Sequence, residues 1–196
     1  MALNTLRDLY INELKDTLNS EKQLVKALPK MAKKADAPEL RDAFQEHLAQ
    51  TEVHVQRIQQ IMEELGLPER GKTCKGIQGI LAEGTEMMEE EAEPAVMDAA
   101  LIAGGQRAEH YEMAAYGTLR AYAETLGYSE AAKLLQQTLD EEKKADQKLS
   151  ELAEGFINTL AEEGDEEEEK ESSGRNGKME MAGTASNGRR NGGRMS

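Results

Sequence analysis

Apolar residues recur every three or four positions through four long stretches, and that spacing leaves room for little other than amphipathic helices. The first stretch, residues 5–34, carries Leu6, Leu9, Tyr10, Leu14, Leu18, Leu24, Val25 and Leu28 on one side. Pro29 lies inside it and is expected to kink the helix or end its straight part, because it lacks an N–H and crowds the preceding turn. Asp36-Ala37-Pro38 then offers a cap and a proline for a first turn, and Phe44, His47, Leu48, Thr51, Val55, Ile58 and Met62 continue one face as far as Gly66. A third stretch starts at Pro94 and passes Met97, Leu101, Ile102, Tyr111, Met113, Tyr116 and Leu119 to about Gly127, a natural helix stop. Ser129 is placed to cap a fourth, whose face reads Leu134, Leu135, Thr138, Leu139, Glu142, Leu149 and Leu152, ending near Glu163.

The link between the first and second stretches is short, as is the link between the third and fourth. The middle connection, from Gly66 to about Glu93, is too long for a tight hairpin and holds a short helical pattern of Ile77, Ile80, Leu81, Met87 and Met88. Two helical hairpins joined by a crossover strap are the plan of an all-α, ferritin-like four-helix bundle; a simple up-down bundle needs only short loops. Ala, Leu, Glu, Lys, Gln and Met dominate and tryptophan is absent, which suits helices throughout. Residues 1–164 read as this one domain. Residues 165–196 change character, rich in Gly, Ser and Asn with few large apolar side chains, and read as a disordered charged tail.

The charge balance, 38 acids against 24 bases for a net −14, disfavours nucleic-acid or membrane binding by the body of the protein and welcomes metal cations. Only the tail, where Arg175, Lys178, Arg189, Arg190 and Arg194 meet Glu180 alone after Ser173, would make a weak nucleic-acid contact. The run Glu86, Glu89, Glu90, Glu91, Glu93 reads as a solvated face. With no run of eighteen apolar residues, no secretory-signal pattern at Met1 to Arg7, and Cys74 as the single cysteine, the expected compartment is the cytoplasm.

Against this background the inward-facing polar residues stand out. Glu21 interrupts the stripe from Leu14 and Leu18 to Leu24. His47 falls between Phe44 and Leu48, with His54 near the same face, at the rim or in the site. Glu109 and Glu112, three apart, lie on one side of the third helix, whereas His110 lies about a quarter-turn away from Glu109 and reads as a supporting or surface group. Glu142 is in line with Leu135, Leu139 and Leu149, with Asp146 one turn on. Carboxylates from three helices and a histidine from the fourth would repel strongly in an apolar interior unless compensated. Shared protons, Arg107 or Lys143 reaching inward, or a pair of cations would each do so, the cations best. Carboxylate and imidazole donors suit iron or manganese, and with less discrimination zinc. No Glu-x-x-His pair stands where ferritin-like di-metal sites use one.

The stretches "LNSEKQLVKALPKMAKKA", "FQEHLAQTEVHVQRI" and "EHYE" with "AAKLLQQTLDEEK" resemble the YciE/YciF group of bacterial stress proteins, a branch of the ferritin-like superfamily, over roughly residues 3 to 160. The resemblance implies a bundle that forms a homodimer, an association with stress responses, and a di-iron site. Carried over residue by residue, it implicates Glu21, His47, Glu109, Glu112, Glu142 and Asp146 as metal ligands. At Gln50 this chain departs from a glutamate of the family pattern, which removes one anionic ligand. The expected function is therefore a cytoplasmic stress protein with a carboxylate/histidine di-metal site holding iron or manganese, acting on peroxide or oxygen or handling iron, with Tyr111 and Tyr116 orienting a ligand or passing an electron. The alternative is a metal-free helical dimer that protects or scaffolds.

Overall fold

The computed structural model describes residues 3–69 and 72–163, and the expectations for the tail, 165–196, lie outside them. Five helices follow in order: α1 (Leu6–Lys34), α2 (Pro38–Glu64), α3 (Lys75–Glu89), α4 (Pro94–Thr125) and α5 (Ser129–Leu152). After α5 a π-helical turn, Ala153–Ile157, leads into a last helical stretch, 158–163. No strand is found among the described residues, and the fold is the expected all-α bundle. The four long helices form a closed ring in which α1 packs on α2, α2 on α5, α5 on α4 and α4 back on α1. The strap helix α3 lies across α4 and α1, closing one side.

Local chemistry sets the helix ends. Thr5 and Asp8 form a capping box at the start of α1: the Asp8 backbone N–H donates to Thr5 Oγ1 at 3.1 Å and the Thr5 N–H to Asp8 Oδ2 at 3.0 Å. Gly66 and Gly127 have φ of 65° and 79°, and each lets the chain fold back on its helix, with Leu67 N–H donating to Met62 O and Tyr128 N–H to Ala123 O, both at 2.8 Å. Pro29 falls inside α1, which runs on to Lys34, and sits on the exposed face, where water can take up the carbonyl it leaves without a donor. Two expectations need correction. Ser129 is the first residue inside α5, not its cap, because the Gly127 turn starts the helix at Tyr128. Asp36 does not cap α2 either.

The α1–α2 link is instead held from across the bundle, where the buried carboxylate of Asp98, on α4, accepts the N–H groups of Asp36 and Ala37 at 2.8 Å each. Asp98→Ala leaves both donors unmet and should cost about 2 kcal/mol in chemical denaturation, with Asp98→Asn losing roughly half as much because one acceptor remains.

The core comes in two halves. At one end Tyr10, Leu14, Leu18, Ile58, Met62, Leu119, Leu135 and Leu139 pack together; at the other Leu24, Leu28, Met31, Leu40, Phe44, Leu101, Leu149 and Leu152 do. Between these apolar halves, near the middle of every long helix, lies a buried polar layer: Ser20, Glu21, His47, Thr51, His54, Glu109, Glu112, Thr138 and Glu142.

Candidate metal centre

Each wall of the polar layer follows from helical spacing. Glu21 takes a core position of α1, His47 and His54 stand two turns apart on α2, Glu109 and Glu112 one turn apart on α4, and Glu142 completes the ring from α5. All six are buried, Glu21, His54 and Glu142 completely. They form two groups that share one member: His47, Glu109, Glu112 and Glu142 in the first, Glu21, His54 and Glu142 in the second, each offering ligand atoms within 4.8 Å of one another.

The histidines are held from outside. His54 Nε2–H donates to Glu141 Oε2 at 2.9 Å, and that carboxylate is itself gripped by Arg57, whose Nη2 donates to Glu141 Oε1 at 3.0 Å. His47 Nδ1 lies 3.4 Å from Gln50 Oε1. With the outer nitrogen of each ring turned to an acceptor, the inner nitrogen is left to present its lone pair to the centre, the arrangement that orients metal-binding histidines. Those inner atoms approach the carboxylates, His54 Nδ1 at 2.9 Å from Glu142 Oε1 and His47 Nε2 at 3.1 Å from Glu109 Oε1, yet neither is aligned for a hydrogen bond. The buried atoms Glu21 Oε2, His47 Nε2, His54 Nδ1, Glu109 Oε2, Glu112 Oε2, Glu142 Oε1 and Glu142 Oε2 all lack a hydrogen-bond partner. Buried polar atoms are rarely left so, and here they converge on one place. Four carboxylates bring four negative charges, which two divalent cations would neutralise. The donor set fits.

Without a cation the layer has to draw protons. Burial raises the Glu21 pKa to about 7, Glu142 adding to it against His54 and the Tyr116 hydroxyl, which donates to Glu21. Glu112 is pushed well above the usual carboxylate range by burial and then by Glu21, Glu142 and Glu109, and Glu142 is raised by burial as well. Burial alone would lower His47, but the neighbouring Glu109 and Glu142 carboxylates outweigh it and lift it to about 10. Both residues bind protons more tightly folded than unfolded, so each contributes stability that fades as pH rises: Glu21 between about 4.5 and 7, His47 between about 6.5 and 10. The melting temperature of chelator-treated protein should therefore fall steadily from pH 5 to pH 9. A flat or rising profile would contradict this balance.

Of the residues singled out in the sequence, Glu21, His47, Glu109, Glu112 and Glu142 are brought together; Asp146 is not. One turn beyond Glu142, α5 has rotated toward the surface, and Asp146 accepts from Gln106 Nε2 at 3.2 Å and faces His110 Nε2 at 3.3 Å. His110 is exposed, and so is the run from Glu86 to Glu93. Arg107 and Lys143 also remain exposed and do not reach inward. Tyr116 touches the centre through Glu21, whereas Tyr111 turns to Cys74 Sγ at 3.0 Å and Asp16 at 3.3 Å, beneath the strap. His54 belongs to the centre, and its seven-residue separation from His47 was the signal for it. Glu141 and Arg57 carried no such signal, since both lie beside the apolar stripes.

Comparison with known proteins agrees with this architecture. A family model described as Domain of unknown function (DUF892) matches residues 5–162. Protein YciF of Escherichia coli (strain K12) is 44% identical over 163 residues, 83% of this chain and 98% of that protein. The crystal structure of the E. coli stress protein YciF superposes with a TM-score of 0.77, covering 80% of this chain and 99% of that one. YcfI from Rhodopseudomonas palustris, at 39% identity, gives 0.73 over 75% of this chain and 94% of its own. With nearly the whole bundle matched, the chain belongs to the DUF892 family and is a YciF-like protein.

Proposed function

We propose that the protein holds two iron or manganese ions in the polar layer and serves, as a cytoplasmic homodimer, in a stress response. The observation that carries this reading is the set of partnerless buried oxygen and nitrogen atoms converging between the two apolar halves, with both histidines turned inward by outer acceptors. Glu142 would reach both ions, His47, Glu109 and Glu112 one of them, and Glu21 and His54 the other. Oxygen and imidazole donors with no thiolate suit iron or manganese. Bound iron or manganese would supply one-electron chemistry toward peroxide or dioxygen. The chain's part is to hold the donors in place, with Tyr116 fixing Glu21 and the Arg57–Glu141 pair fixing His54, and to flank them with apolar packing above and below. The description of the E. coli relative as a stress protein supports the physiological half of the reading, and the absence of a described helix long and apolar enough to cross a membrane is compatible with it.

Metal analysis of protein purified without chelator is the test. About two equivalents of iron or manganese are expected, and manganese at a hundred times its dissociation constant should stabilise the chelator-treated protein by about 2.7 kcal/mol per site. Less than about a tenth of an equivalent, with no thermal shift on adding metal, would overturn the proposal. It would favour the metal-free scaffold, the reading supported by the R. palustris relative's description as a structural protein and by the apolar halves on both sides of the layer.

A further inference from the structure

A cavity of about 340 Å³ opens between α1, α3 and α4. Leu24, Leu28 and Leu101 line its buried floor, and Ile80, Leu81 and Met88 of the strap form its roof. At its inner end stands Glu109, a member of the polar layer that is almost wholly buried and whose Oε2 has no partner. At its mouth stand Lys26 and Lys30, one helical turn apart, both exposed and without an ion pair among the described residues. A second opening of about 330 Å³, between α2 and α5, also reaches Glu109 and is lined by Glu46, Gln50, Lys144 and Lys148. Ions and small polar solutes have that polar route, so the apolar one is not required for them.

We propose that the cavity between α1, α3 and α4 binds a medium-chain aliphatic carboxylate, its head paired with Lys26 and Lys30 and its hydrocarbon tail running inward to Glu109. Volume and lining are those of a small-molecule site, mostly apolar with few polar groups to fix orientation. The placement of the bases sets the direction: among the described residues the only basic side chains lining the cavity, Lys26 and Lys30, stand at its exposed mouth, while its buried end offers the Glu109 carboxyl and no cationic partner for an anion. This deepens the metal reading by naming a substrate class. It rests on that reading only for what befalls the ligand at the centre, since binding itself needs no metal.

The space can be filled without touching the centre. A Cβ built at Gly104 or at Gly84, both lining the cavity, meets nothing within 4 Å, and neither glycine has a positive φ. Calorimetric titration of the full, chelator-treated chain with decanoate, below its micelle concentration, should show saturable one-to-one binding. Gly104→Leu should weaken it at least tenfold at an undiminished melting temperature, and Gly84→Leu serves if the first variant folds poorly. The double variant Lys26→Glu, Lys30→Glu should weaken decanoate roughly three- to tenfold and leave decanol unchanged. No saturable uptake, or an affinity indifferent to Gly104→Leu, overturns the proposal. So does an equal loss for decanol and decanoate, or a Gly104→Leu chain that binds no ligand in any form and instead loses self-association, which would mean that a second copy covers the cavity. Metal-free protein is used throughout, so a failure of the metal reading leaves these outcomes legible.

Discussion

Replacing Glu142 with alanine should strip metal from both halves of the centre, weakening manganese binding by at least about a hundredfold in competition with a fluorescent chelator. Its two carboxylate oxygens face different partners, Oε1 at 2.9 Å from His54 Nδ1 and Oε2 at 3.7 Å from His47 Nε2, and it is the one residue common to both ligand groups. Changing a supporting residue around a metal costs about 10- to 100-fold in affinity, and removing a shared ligand costs more. Asp146→Ala, one turn away on the same helix, is the control: with Asp146 committed to Gln106 and His110, its loss should change affinity by less than about threefold. An E142A protein that still binds two manganese ions tightly would mean that the carboxylates gather for some other reason.

The bundle was legible because its information is periodic. Stripes of Leu, Ile and Met at three- and four-residue spacing place the ends of α1, α2 and α4 and the start of α5 within a few residues, and the long middle link marks the crossover and its short helix; the π-helical turn that ends α5 at Leu152, well before the expected end near Glu163, left no such mark. The inward acids were legible for the same reason, each breaking an otherwise apolar stripe. Legibility stopped where the rotation of a helix, rather than its period, decides. Asp146 is four residues from Glu142, close enough for both to meet one ligand on paper, yet side chains four apart differ by about 40° around the axis, and at the edge of a buried layer that turns one of them to the surface. His54 is the converse, falling two turns from His47 and drawn inward by Glu142 and Glu21 from other helices. Caps set by distant residues, such as Asp98 on the α1–α2 link, are tertiary and leave no local trace.

Glu112→Gln should move stability in opposite directions depending on metal. Glu112 is fully buried, faces Glu21, Glu109 and Glu142, and has only the Ser20 hydroxyl, at 3.4 Å, to stabilise its charge. A glutamine has the shape of the protonated acid and adds donors for the carboxylates opposite, so in chelator-treated protein at pH 8 the change should raise stability by about 1–2 kcal/mol, seen as a melting point higher by a few degrees. Burial and the carboxylates of Glu21, Glu142 and Glu109 hold the Glu112 pKa well above the usual carboxylate range, so wild-type Glu112 binds its proton more tightly folded than unfolded, its penalty fades as pH falls, and the gain should shrink from pH 8 to pH 5. With manganese in large excess the same variant lacks an anionic donor, and a site weakened about a hundredfold forfeits about 2.7 kcal/mol of metal-derived stabilisation, more than the gain, so the sign reverses. A helical scaffold with no bound cation would show the gain under both conditions. A carboxylate needed only for packing would show a loss under both. The change of sign on adding metal belongs to an ion-binding centre alone, so this one substitution, melted with and without manganese, separates the two readings of the polar layer.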